Sequence, residues 1–222
     1  MIQALWNKKT FQRIFLNEIV NSLEIHNRVI VDIGGGDKTS SYHMLLSQKQ
    51  NQFISVDMTK NCDYKIDLEN EALPFETNSV EVVFCFNVLE HIFNYQHLLD
   101  EIYRILKKDA QLYIYVPFLF HKHAHPNDYF RFSDTALIKL LENRNFDIDD
   151  ISINYGIGKN IFQNLFWIAH TKKLFFVGNA LTIILGVTLH LFDVMLNFFN
   201  VTHTINQNYI LGVYVKARKG EM

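Results

Sequence analysis

Cysteine is almost absent: there are two among 222 residues, Cys62 and Cys85, with no paired spacing. Such a chain carries no disulfide framework and no cysteine-based zinc site, and a reducing, cytoplasmic compartment is the expectation. Neither sign of charge is in excess. Lys and Arg number 21 against 23 Asp and Glu, and a net charge of −2 gives no electrostatic footprint for a nucleic acid. The ten histidines would add positive charge only in acid. The opening residues, Met1-Ile2-Gln3-Ala4-Leu5-Trp6-Asn7-Lys8-Lys9, lack the basic, apolar and small-residue order of a secretory leader. Internal repeats and low-complexity linkers are missing too. Residues 1–222 therefore read as a single domain, long enough for a full α/β core.

Short apolar runs alternate with helical patterns. Phe11, Ile14, Phe15, Ile19, Val20 and Leu23 recur at helical spacing, which predicts a helix over 8–25. Val29–Ile33, Phe53–Asp57 and Val80–Phe86 read as strands, with Tyr64–Asp67 a weaker one. A helix over 39–48 would take Thr39 or Ser40 as its cap. A second helix is expected from Leu89 to Lys107, closing on Lys107-Lys108 at its negative end. Gln111–Val116 is a strand ended by Pro117, Ser133 caps a helix to Asn143, and 146–154 and 209–215 are the last strands. Strands alternating with helices imply a doubly wound α/β fold with parallel pairing through right-handed crossovers.

Residues 157–201 break that alternation. From Leu174 to Leu191 there is no Asp, Glu, Lys or Arg, and Asp193 then interrupts before Val-Met-Leu-Asn-Phe-Phe. Three readings stand: a helical insertion forming a lid or a homodimer face, a shallow contact with a membrane surface, or a full span at the lower limit of bilayer thickness. Lys172-Lys173 could sit at a cytoplasmic surface, but no second span brings the final strand back to the sheet.

Chemistry concentrates first at Asp32-x-Gly34-Gly35-Gly36, directly after the first strand, with Asp57 ending the second. Glycines let a backbone approach a ligand closely, and an acid at the end of the second strand can accept both hydroxyls of a ribose. A tight turn with no ligand would need the same glycines.

The segments that follow carry a resemblance. Asp67-Leu68-Glu69, Leu73-Pro74-Phe75 through Val83, Asn87-Val88-Leu89-Glu90-His91-Ile92 and Leu99–Lys108 occur in order. They resemble the class I S-adenosylmethionine-dependent methyltransferases, in the small-molecule branch. The resemblance spans about 28–155 and the last strand, and implies a seven-stranded Rossmann-like sheet with an antiparallel final strand. The insertion would lie outside a core of about 28–155 and 208–216. The cofactor implied is S-adenosyl-L-methionine. Asp32, Gly34 and Gly36 would surround its amino-acid end, Asp57 its ribose, Asp67 and Leu68 its adenine, and Asn87 its methionine portion. Lys38 stands where the family often has a third glycine, which puts contact along that turn in doubt. A nicotinamide-binding Rossmann domain fits less well: its sixth position should be glycine but is Thr39, and Asp37 would repel a pyrophosphate.

The loop after the fifth strand reads His121-Lys-His123-Ala-His125-Pro-Asn-Asp128-Tyr129-Phe-Arg131-Phe. It resembles a segment of family members associated with cell-surface polysaccharide and other glycan pathways. That points to an oxygen of a sugar or a lipid-linked glycan precursor as acceptor. A quinone, a lipid or a nitrogen metabolite, or a non-catalytic scaffold, remain the alternatives. A hydroxyl is a poor nucleophile at neutral pH, so a base is expected, with His125 and Asp128 as candidates. His91, His123, Tyr129 and Arg131 are candidates for lining the acceptor pocket. Tyr129 and Arg131 could equally brace the loop, and His91 could hold the turn after the fourth strand. Three alternating histidines could hold a metal, but no cysteine or compact carboxylate cluster completes the set, so no metal is expected. The apolar segment 174–199 suggests an acceptor or partner with lipid character, at the inner face of the cell membrane.

Overall fold

In a computed structural model of the chain, the described residues are 9–59, 61–171, 179–198 and 208–221. Their elements are α1 (Phe11–Ser22), β1 (Val29–Ile33), α2 (Ser41–Ser47), β2 (Gln52–Asp57), β3 (Tyr64–Lys65), β4 (Val80–Phe86), a 3-10 turn (Leu89–His91), α3 (Tyr95–Ile105), β5 (Leu106–Pro117), α4 (Asp134–Glu142), β6 (Phe146–Tyr155), α5 (Ile157–Thr171), α6 (Asn179–Phe198) and β7 (Ile210–Lys219). The strands form one seven-stranded sheet in the order β3-β2-β1-β4-β5-β7-β6. All neighbours are parallel except β7, which runs antiparallel between β5 and β6.

Strand periodicity sorts side chains to the two faces. Val31, Ile33, Val83 and Cys85 join Leu98, Leu99 and Ile102 of α3 and Leu137 and Leu141 of α4 in one core. Ile30, Val82, Phe84 and Phe86 face the other way, against Leu16 and Val20 of α1 and Tyr42 and Leu46 of α2. Helices cover both faces, so the central strands are apolar on both sides.

The expected helix over 89–107 is two elements, not one. After the 3-10 turn, Ile92 is extended and the chain re-enters a helix only at Tyr95. The backbone carbonyl of Glu90 is taken by the N–H groups of Tyr129 and Phe130 (2.9 and 3.2 Å), so a helix cannot use it. At the other end, Lys107 and Lys108 do not close a helix. Both lie in β5 and pair with Glu81 and Glu221.

The insertion folds as α5 and α6 against α1 and β7. Phe11, Ile14, Phe162 and Leu211 form a third apolar cluster, with Ile183, Val187 and Leu189 of α6 packed on it. Asp193 explains the interruption in the apolar run. It is buried, and its carboxylate accepts the N–H groups of Gly158 (2.8 Å) and Lys159 (3.0 Å), capping the first turn of α5. A Cβ at Gly156 or Gly158 would collide with Asp193 or with the Leu189 carbonyl. Among the described residues no helix is long and apolar enough to cross a membrane, which removes the full-span reading from α6; residues 172–178 lie outside the described residues. The outer face of α6 is apolar, with Ile184, Leu191, Val194, Met195 and Phe198 exposed.

Candidate active site

The three glycines after β1 answer to three different neighbours. Gly34 has φ +70°, donates to the Val56 carbonyl (2.8 Å), and would drive a Cβ to 2.4 Å from Val88 Cγ2. A Cβ on Gly35 would meet Asp32 Oδ2 at the same 2.4 Å. Gly36, at φ +55°, has open space: the nearest atom to its Cβ position is Asp57 Oδ2 at 3.9 Å. Two glycines are therefore required by the protein's own packing, and the third leaves a cradle that a side chain would fill.

Asp57 faces that cradle from the end of β2. Its Oδ2 accepts Gly36 N–H (3.0 Å) and its Oδ1 accepts Thr59 N–H (2.9 Å). Asp32 lies beneath the loop with no exposed surface. Its Oδ2 accepts the Tyr42 hydroxyl (2.9 Å) and sits 2.5 Å from His43 Nε2, while Oδ1 has no partner among the described residues. Burial pushes the Asp32 carboxyl upward, opposed by the His43 contact. Asp32 thus shapes the loop from below. Lys38 takes up φ +61°, the backbone that a glycine would adopt without strain, and its ammonium pairs with Asp63 at 2.5 Å. That carboxylate also accepts Ser55 N–H (2.7 Å), so Lys38 ties the loop to β2. Asp37 caps its own turn, accepting the Thr39 N–H (3.2 Å) and hydroxyl (2.6 Å), and α2 starts after Ser40 without a side-chain cap.

Asp67 and Leu68 follow the short β3. Asp67 accepts Glu69 N–H and Asn70 Nδ2 (both 2.9 Å), which hold its carboxyl below the usual range and fix the turn, and Leu68 is buried in the core. At the end of β4, Asn87 stands at φ +56° and donates its N–H to the Tyr115 carbonyl (2.8 Å). It lines a cavity of about 210 Å³ with Thr10, Gln12, Arg13, Phe120 and His123. Arg13 carries a buried Nη1 without a hydrogen-bond partner among the described residues. Sequence reasoning missed Arg13; a cation set among the apolar positions of α1 is the signal that could have found it.

The loop after β5 closes the cavity from above. Asp128 is gripped by Arg131 through Nη1 (2.6 Å) and Nη2 (2.9 Å), and accepts His123 N–H (2.8 Å). Arg131 holds the Asp128 carboxyl far below the usual carboxylate range. Asp128 and Arg131 therefore clasp the loop. Tyr129 is exposed, its hydroxyl 3.2 Å from Asn127 Oδ1 and its ring edge-on to Phe93. His125 is exposed at the loop tip. His123 lies apart from His125 in its contacts: its ring meets His91 edge-on, centroids 4.6 Å apart.

Glu90 is the residue whose role the sequence left unread. Its side chain has 0% exposure, and neither carboxylate oxygen has a hydrogen-bond partner among the described residues. Burial pushes it up to about 8. Oε1 lies 3.7 Å from His91 Nε2. A lone acid between Val88-Leu89 and Ile92, next to a histidine, was the available signal.

A glycine loop, an acid ending β2 and a polar turn after β4, all at the carboxyl edge of a 3-2-1-4-5-7-6 sheet, define a domain with the methyltransferase fold. Comparison with known proteins agrees. Residues 31–114 match the family model described as a methyltransferase domain. A stretch of 98 residues is 35% identical to an uncharacterized protein of Methanocaldococcus jannaschii, covering 44% of this chain and 41% of that protein. The chain thus spans about two fifths of that curated relative. Solved structures share the fold at low identity. The cyclase SpnF superposes with a TM-score of 0.61 at 13% identity, over 94% of this chain and 81% of that one. Haemonchus contortus phosphoethanolamine N-methyltransferase 2, in complex with phosphomonomethylethanolamine and S-adenosylhomocysteine, gives 0.58 at 16%, over 95% and 52%. YcgJ of Bacillus subtilis gives 0.54 at 17%, over 93% and 98%.

Proposed function

We propose that this chain is a methyltransferase that uses S-adenosylmethionine to methylate a small-molecule acceptor, an oxygen of a sugar or of a lipid-linked glycan precursor. The observation that carries the reading is the open cradle at Gly36, with the Asp57 carboxylate 3.0 Å from the Gly36 N–H. When bound, S-adenosylmethionine supplies a methyl group already activated on a sulfonium sulfur. Asp57 accepts the ribose hydroxyls, Gly34 lets the loop close over Val88, and Gly36 leaves the cradle free of a side chain. Asp67 and Leu68 flank the adenine, and Asn87 the methionine portion. Arg13, whose Nη1 has no partner among the described residues, would pair with the cofactor carboxylate. Asp32 acts on the loop through Tyr42 and His43.

Positioning does much of the work in an in-line displacement at an activated carbon. His123 and Asn87 line the acceptor side of the cavity, and His91 lies behind it with its ring edge-on to His123. Asp128 orients His123 through its N–H and is neutralised by Arg131, so it positions and does not take the proton. His125, at the tip of the same loop, receives the proton of the acceptor hydroxyl. The exposed apolar face of α6 supports an acceptor carried on a lipid, docked at a membrane surface. Labelled S-adenosylmethionine offered with lipid-linked sugar extracts, quinones and amine metabolites tests the acceptor. Label in the glycan fraction is expected; label only in quinone or amine would overturn it. His125→Ala should lower kcat at least tenfold with KM little changed.

A further inference from the structure

We infer that Glu90, His91 and His123 form a binding site for a divalent transition-metal ion at the rim of the cavity. One ligand atom from each residue lies within 4.8 Å of the others. Glu90 Oε1 and His91 Nε2 are already 3.7 Å apart, close to the ~3.4 Å that separates donors around a tetrahedral zinc.

Three independent features make this a built site. The first is Glu90 itself. A fully buried carboxylate whose two oxygens have no hydrogen-bond partner among the described residues is costly unless something else occupies its lone pairs.

The second is the orientation of the two rings. His91 Nδ1 is 2.6 Å from the Asn127 carbonyl, and His123 Nδ1 is 3.2 Å from the His121 carbonyl. A carbonyl only accepts, so each neutral ring carries its proton on Nδ1 and leaves the Nε2 lone pair for an ion. A metal-binding histidine commonly donates its other ring N–H to a backbone carbonyl in this way.

The third is the surrounding frame. The Glu90 carbonyl holds Tyr129 and Phe130, and Asp128 accepts His123 N–H, so two distant segments are locked together at this point. Arg131 sits close, but its charge is matched by two bonds to Asp128.

One carboxylate oxygen and two imidazole nitrogens suit borderline ions such as zinc or iron(II) better than magnesium, which favours oxygen ligands. With three protein ligands, a fourth position stays open. His123 also lines the cavity beside Asn87, so that position borders the space proposed for the acceptor. An acceptor hydroxyl bound there would be acidified before transfer. That last step rests on the methyltransferase reading; the metal site does not.

Calorimetric titration of the chelator-stripped full chain with zinc chloride, followed by manganese and magnesium chloride, tests the site. One equivalent of zinc is expected to bind, with magnesium weaker by at least a hundredfold. Glu90→Gln, nearly isosteric, and His123→Ala should each weaken zinc at least tenfold, whereas His125→Ala should leave it within twofold. Cobalt(II) should give visible absorption bands in the wild type that disappear in Glu90→Gln. S-adenosylhomocysteine affinity and circular dichroism report whether each variant folds. Absence of a one-to-one site in folded protein, or affinity unchanged in Glu90→Gln, would overturn the inference. Loss of nucleoside binding with zinc binding intact would instead count against the methyltransferase reading.

Discussion

Gly34 and Gly36 share a left-handed backbone and differ in what surrounds them. Gly34→Ala must push Val88 aside and strain its own φ, which should cost about 2–4 kcal/mol of stability, read by denaturant unfolding. Gly36→Ala has room, so the stability loss should be about 1 kcal/mol, from the backbone alone. Its larger effect should be on S-adenosylhomocysteine affinity, lowered at least tenfold. Equal losses of stability in the two variants would contradict the division of labour. The Asp128–Arg131 clasp has a pH signature. Arg131 lowers the folded-state value of Asp128, so the clasp stabilises above the unfolded value of about 3.9 and its contribution is lost as pH falls through the lower folded value. The stability difference between wild type and Asp128→Asn should therefore be constant from pH 7 to 5 and shrink below pH 4, measured by melting in a buffer series. At this scale the glycine loop and Asp57 were legible in the sequence, because their residue types state a local geometry. Glu90 and Arg13 were not. Their significance is buried polar atoms without a partner among the described residues, and only tertiary structure creates that.

Periodicity identified most elements, and the exceptions are set by long-range hydrogen bonds. The pattern from Leu89 to Lys107 is helical throughout, yet the chain breaks at Ile92 because the loop after β5 claims the Glu90 carbonyl. The same diversion sets Glu90 and His91 opposite His123. Ser133 shows the contrary case: its hydroxyl caps α4 at Ala136 N–H (3.2 Å), a local signal that reads directly from sequence. In the insertion, Asp193 looked like an interruption of an apolar run and is the cap of another helix, 34 residues away from Lys159. Asp193→Ala removes the acceptor of a buried and a half-buried N–H group. It should destabilise by about 1–2 kcal/mol, with faster hydrogen exchange concentrated in α5 and α6. Uniform loss of protection across the sheet would contradict this local role.

On the scale of the whole molecule, the chain order reverses between β1 and β4, and the crevice at their carboxyl ends is where open α/β sheets bind ligands. The seven-stranded sheet and its antiparallel last strand followed from a resemblance in motif order, while the outer face of α6 depends on how the insertion lies on α1. With Ile184, Leu191, Met195 and Phe198 exposed along it, the full chain should co-sediment with anionic vesicles, and Leu191→Glu with Met195→Glu should abolish that. Everything proposed for methyl transfer depends on a nucleoside cofactor held between the glycine loop and Asp57. Calorimetric titration with S-adenosylmethionine and S-adenosylhomocysteine, beside Asp57→Ala, tests it most directly. Micromolar binding, about −8 kcal/mol, lost in the variant, is the predicted result. No binding by folded wild type, or equal binding by Asp57→Ala, would contradict it.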